Sequence, residues 1–166
     1  VLAGSLLLTI SAKIQVPFWP VPMTLQTGVV LALGAALGWR LAGAGVLTYL
    51  LQGAVGLPVF AGGAGFAYMT GPTGGYLLGF LVAALVVGRL AERGWDRSLL
   101  GSFAAMLLGN SLLFLCGVGY LAALIGVEQA ISVGLLPFLA GEVLKIALVT
   151  ALLPFVWTRL RRDAGT

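Results

Sequence analysis

Glu142 and Lys145 stand three residues apart in the run PFLAGEVLKIALV, whose other side chains are apolar or small. On a helix that spacing puts carboxylate and ammonium on one face, within reach of each other. Counted from Leu136 at 1.5 Å per residue, they lie roughly 9 and 14 Å along the helix. One charge near the centre of a bilayer costs about 2.5–3.5 kcal/mol even on the mildest scale. An exposed pair of this kind returns only ~0.2–0.5 kcal/mol, which does not offset two desolvations. Two readings follow. Either the pair neutralises itself and fixes the rotation of its helix, or both groups line an outward-opening cavity. In the second case the carboxylate accepts N–H bonds, and the ammonium donates to a carbonyl or carboxylate of a ligand.

Other polar side chains are expected at the same level: Thr24 and Gln26, Tyr49 and Gln52, and Asn110. Each of them, taken alone, serves an interhelical hydrogen bond equally well. The stretch Gly56–Tyr76, GLPVFAGGAGFAYMTGPTGGY, has the make-up of a lid over such a site. Its glycines allow close backbone approach, and its aromatic rings give contact area with few rotors to freeze. Thr70 and Thr73, with the backbone N–H groups of Gly71, Gly74 and Gly75, are the expected holders of an anion or carbonyl, because Gly74-Gly75 opens a helix. Phe18, Trp19, Phe60, Phe66, Tyr68 and Tyr76 would form apolar walls. The competing reading is a re-entrant loop shaped by packing alone.

The elements that must position these groups are membrane helices. Of 166 residues, 60% are hydrophobic and 8% charged, and the mean hydropathy is +1.11. A soluble domain carries about 25% charged residues. The apolar runs are continuous, with none of the period-two alternation of a membrane barrel. At about 20 residues per crossing, the expectation is an all-α membrane protein. It is a compact single domain of six transmembrane helices over about 1–12, 23–39, 41–57, 75–90, 99–124 and 136–157. Pro17, Pro20 and Pro22 end the first helix in a compact loop, and 125–135 reads as a short connection.

Charge placement orients the bundle. Arg40, Arg89, Arg93, Arg97, Arg159, Arg161 and Arg162 fall on one face of a six-span arrangement, against Lys13 alone on the other. The positive-inside rule then puts both termini in the cytoplasm of a multi-pass plasma-membrane protein, with the lid facing outward. Several activities drop out. The chain has no G-x-x-x-x-G-K-[S/T] motif for ATP, and it lacks histidine. Cys116 is its one cysteine, so the usual His/Cys zinc site is excluded. No basic stripe suggests a nucleic-acid partner.

Three segments together resemble the BioY family, the substrate-binding (S) component of energy-coupling-factor biotin transporters. They are VPFWPVPMTLQTGVVLALGAALG, GLPVFAGGAGFAYMTGPTGGYLLGF and PFLAGEVLK. The resemblance runs over nearly the whole chain; its most specific strings are Pro20–Thr27 and Gly71–Tyr76. It implies six membrane helices, high-affinity biotin binding from outside, no enzymatic activity and no cofactor. It also implies partners: a transmembrane coupling subunit and two ATPase subunits. The family's acid-x-x-Lys pair falls on Glu142 and Lys145, with glutamate after Ala140-Gly141 where aspartate after Pro-Gly is usual. The small-residue spacing by which S components meet the coupling subunit is poorly represented among Ala3, Gly4, Ser5, Ser11 and Ala12. Biotin's ureido ring would lie deep, near Glu142, Lys145 and Asn110, with its tail toward the loops. The reverse orientation, with the carboxylate on Lys145, stays open. So do an S component for another small vitamin, an intramembrane enzyme using Glu142 and Lys145, and a structural helix-packing subunit.

Overall fold

The computed structural model describes residues 1–17 and 19–163, with side chains described as far as Leu153. Phe18 and the side chains of Arg159, Arg161 and Arg162, on which parts of the aromatic and charge arguments rest, lie outside that set. The chain is an all-α membrane-spanning bundle. Its elements are α1 (Leu2–Lys13), β1 (Gln15–Val16), β2 (Met23–Thr24), α2 (Gln26–Ala54), α3 (Phe66–Met69), α4 (Gly74–Glu92), α5 (Leu99–Ile125), α6 (Val127–Gly134) and α7 (Leu139–Asp163). One-turn 3-10 segments, Trp95–Arg97 and Leu136–Phe138, lead into α5 and α7.

Four helical stretches are long and apolar enough to cross a membrane: Gln26–Ala54, Gly74–Glu92, Leu99–Ile125 and Val127–Leu153. That is fewer than the six expected: α1 is only 12 residues long, and the expected helices 23–39 and 41–57 map onto the single stretch Gln26–Ala54. Yet α2 is not straight. Gly38 takes φ 74° and ψ 170° inside it, a conformation that glycine reaches without Cβ strain. The amide of Gln26 and the hydroxyl of Tyr49 meet at 2.8 Å, although 23 straight helical residues would separate them by about 35 Å. α2 therefore folds back on itself at Gly38 into two arms.

The first loop differs from its expected form as well. Instead of entering a helix at Met23, the chain pairs β1 with β2 antiparallel, Gln15 opposite Thr24 and Val16 opposite Met23. The prolines occupy the tip of this ribbon, where no ladder donor is needed. The ribbon places Thr24 directly ahead of α2. The segment read as a connection over 125–135 contains the eight-residue α6.

α4 sits centrally, packed against both α2 and α5. α7 is peripheral: Val143, Leu144, Leu148 and Leu152 are exposed, while Phe138, Glu142, Ile146, Thr150 and Leu153 form a single buried stripe. That stripe follows the helical period and turns Glu142 inward. On α1 the small residues Gly4, Ser5, Ser11 and Ala12 are buried, with Gly4 facing Leu33 and Gly45 of α2. The outer face of α1 is left to Leu2, Leu6, Leu7 and Ile10.

Candidate ligand-binding site

Glu142 is 3% exposed, and its two oxygens have different surroundings. Oε1 accepts from Lys145 Nζ at 2.6 Å and from Thr27 Oγ1 at 2.9 Å. Oε2 is buried without a hydrogen-bond partner. Lys145 Nζ also donates to the Thr24 carbonyl at 2.7 Å and to Thr27 Oγ1 at 2.8 Å. With Glu142, these acceptors use all three ammonium protons. The β1–β2 ribbon makes this possible by presenting the Thr24 carbonyl, and the lysine stem lies over Gly28, where an added Cβ would be in ordinary contact with it at 3.5–3.6 Å. Lys145 is thus held by three protein acceptors, where the sequence reading had it donating to a ligand. The carboxylate keeps one acceptor face for something else.

Glu142 also lines a cavity. Glu142 shares its wall with Thr24, Gln26, Thr27, Thr73 and the apolar groups Val21, Pro22, Ala61, Tyr68, Tyr76, Leu77, Phe80, Phe114 and Phe138. The room for water-molecule centres is ≈ 40 Å³, enough for a few waters but below the roughly 300–1,000 Å³ of small-molecule sites. A second hollow of ≈ 480 Å³ lies outside it, walled by Gln15, Trp19, Gly71 and the loop prolines, and shares Pro22, Tyr68 and Thr73 with the first. These three residues form the partition between outer and inner spaces.

The lid supplies that partition through α3. Tyr68 stacks on Phe60 with ring centroids 5.2 Å apart, and Phe60 meets Tyr49 edge-on at 5.4 Å. Phe60 is fully buried because Gly53 gives it space: a Cβ there would stand 2.0–2.4 Å from three ring atoms. The Gly56–Tyr76 segment is therefore folded onto the bundle by its aromatic groups.

Several expected site residues sit elsewhere. Gln52 is bonded to Ser5 Oγ and ties α1 to the second arm of α2. Tyr49 accepts from Gln26 and donates to the Val59 carbonyl at 3.3 Å, standing behind the cavity wall. Gln26 lines the cavity, but its amide N–H groups are taken by Tyr49 and the Leu8 carbonyl. Phe60 backs Tyr68 and does not touch the cavity. Thr70 is exposed and donates to the Phe66 and Ala67 carbonyls. The N–H groups of Gly71 and Gly74 close turns onto Tyr68 O and Gly71 O, which removes them as anion donors. Trp19 and Phe66 are 88% and 70% exposed and do not form inner wall. Asn110 is not on the wall either, but it is buried one turn before Phe114 with Oδ1 unpartnered. Thr73 and Tyr76 do line the cavity, Tyr76 Oη donating to the Gly134 carbonyl at 2.7 Å.

Residues that sequence reasoning passed over complete the wall: Leu77, Phe80, Phe114 and Phe138. A signal for them existed in the four-residue spacings Tyr76/Phe80, Asn110/Phe114 and Phe138/Glu142, which put each ring on the same helix face as a residue already singled out. Thr27, outside the expected polar set, holds Glu142 and Lys145 together.

A helical membrane bundle whose buried carboxylate offers a vacant acceptor face to an aromatic-walled cavity belongs to the class of membrane small-molecule binders. The chain is a member of the BioY family, whose model matches residues 1–162. A probable biotin transporter BioY from Pyrococcus horikoshii is 38% identical over 142 residues, covering 85% of this chain and 83% of the relative. The biotin transporter BioY of Thermotoga maritima is 40% identical over 142 residues, covering 84% and 83%. Among solved structures, the S-component for biotin from an ECF-type ABC transporter superposes with a TM-score of 0.81 at 27% identity. The match covers 97% of this chain and 88% of that one.

Proposed function

We propose that this protein binds biotin with high affinity from the outer side of the plasma membrane and is the S component of an ATP-driven energy-coupling-factor importer. The observation that carries the reading is Glu142 Oε2, a buried carboxylate oxygen without a partner on the wall of an aromatic cavity, in a chain of the BioY family. A carboxylate oxygen is an acceptor only. It selects a donor, and the ureido N–H groups of biotin are two donors at the end of a compact bicycle. The rings Tyr76, Phe80, Phe114 and Phe138 suit the apolar body of that bicycle. The valeryl tail then runs past Tyr68 and Thr73 into the outer hollow.

In the same proposal the chain crosses the bilayer six times, through α1, the two arms of α2, α4, α5 and α7. Both termini are cytoplasmic, which agrees with the arginines at 40, 89, 93 and 97. Chemical work is left to partners, a transmembrane coupling subunit and a pair of ATPases; the chain is a transport component and no enzyme. The test is purification in detergent, mass spectrometry of the co-eluting small molecules, and calorimetric titration with biotin. Retained biotin and tight binding are expected. A protein that carries no biotin and gives no heat with it would refute the proposal.

A further inference from the structure

If biotin enters ureido-first, its carboxylate arrives at the outer end of the site and needs a donor there. Most of the donors expected for it are in use: the N–H groups of Gly71 and Gly74 close turns, the Thr70 hydroxyl bonds to carbonyls of α3, and the Lys145 ammonium has three protein acceptors; Thr73, on the wall of both spaces, is a neutral donor. One cation at this end is differently placed. Lys13, the last residue of α1, reaches across to the glycine-rich segment, where Nζ donates to the Phe60 carbonyl at 2.6 Å. That carbonyl is bonded to the nitrogen of Ala61, a wall residue of the inner cavity. Two residues farther on, Gln15 donates to the Ala61 carbonyl at 3.2 Å and lines the outer hollow. The ammonium therefore stands beside the junction of the two spaces.

Lys13 is exposed, and its bond to Phe60 occupies one of its three protons. Among the described residues no carboxylate lies within ion-pair distance of it; the ion pair found there is Lys145–Glu142. The outer hollow contributes no charged side chain of its own. We propose that Lys13 is the carboxylate-binding residue of this site, a specificity determinant for ligands with a free acid at the end opposite the Glu142-bound head. The inference rests on the biotin reading above and on its ureido-inward orientation. An ammonium next to an apolar mouth attracts a carboxylate more strongly than it does in bulk water, and its field speeds encounter in a salt-dependent way.

The test titrates wild type, Lys13→Gln and Lys13→Arg with biotin and with biotin methyl ester, at low and high salt. Wild type should prefer the acid over the ester by about tenfold, as expected for one charge-assisted contact, and less at high salt. K13Q should lose that preference by weakening the acid alone, and K13R should keep it. Three results overturn the inference: a wild type that does not prefer the acid, a K13Q that keeps the wild-type preference, or a K13Q that weakens acid and ester equally. In the last case Lys13 is only a strap on the Phe60 carbonyl. Should K13Q fail to fold, the wild-type preference and its persistence in K13R decide. A wild type that binds neither ligand refutes the biotin reading itself.

Discussion

Replacing Glu142 by Gln keeps the length of the side chain and takes away one acceptor. In the folded protein the two carboxylate oxygens differ: Oε1 accepts from Lys145 and Thr27, and Oε2 is buried without a partner in a residue that lines the cavity. An amide has one acceptor atom and one donor atom, so it satisfies one side at the expense of the other. The ammonium at 2.6 Å selects the amide oxygen, because a facing N–H would be repelled by it. The amide N–H then points at the ligand's own N–H. A hydrogen bond to a charged group contributes about 1.5–3 kcal/mol, and a buried donor left without a partner costs ~1–3 kcal/mol. Binding should weaken by about 3 kcal/mol, or ~150-fold in Kd. Calorimetric titration of biotin into E142Q and wild type, with thermal unfolding of both in the same detergent, reads the effect. A melting temperature near wild type together with a Kd within threefold of wild type would refute the assignment of Oε2 as the ligand acceptor.

Three further outcomes follow from the same geometry. Lys145→Ala leaves Glu142 as a buried carboxylate without its cation, and should cost at least ~2–3 kcal/mol of biotin affinity; normal titration of this variant would remove the pair from recognition. Gly53→Ala drives a Cβ into the ring of Phe60, which must shift together with the stacked Tyr68. A loss of about 1–3 kcal/mol of stability is expected in thermal melts, and an unchanged melt would disprove the packing argument. Gln52→Leu strands the Ser5 hydroxyl between α1 and α2, so stability should fall by about 1 kcal/mol with biotin affinity unaltered. Weaker binding at full stability would put Gln52 back in the site.

The membrane class and helical content were legible in composition, since a chain with so few charges has no polar skin to dissolve in water. The inward position of Glu142 was legible in the i,i+3 spacing to Lys145, because a charged pair on an apolar helix turns to wherever partners exist. Proline clustering announced the first loop, and Trp39-Arg40 marked the turn that the structure places at Gly38. Helical period fixes which residues share a face. It says nothing about which partner waits across the gap.

That second question was decided in three dimensions. Thr27 and Glu142 are 115 residues apart in the chain, and no local pattern foretells that one hydroxyl would bridge both members of the pair. The same holds for Gln52, drawn away by Ser5, and for the Gly71 and Gly74 N–H groups, consumed by turns. A polar group is available to a ligand only when its hydrogen-bonding capacity is unfilled, and filling depends on distances between segments remote in sequence. Side-chain type and spacing thus determined that a charged pair lies within a membrane bundle. Only the tertiary structure decided that the lysine's three protons meet protein acceptors while one oxygen of the glutamate is left without a partner.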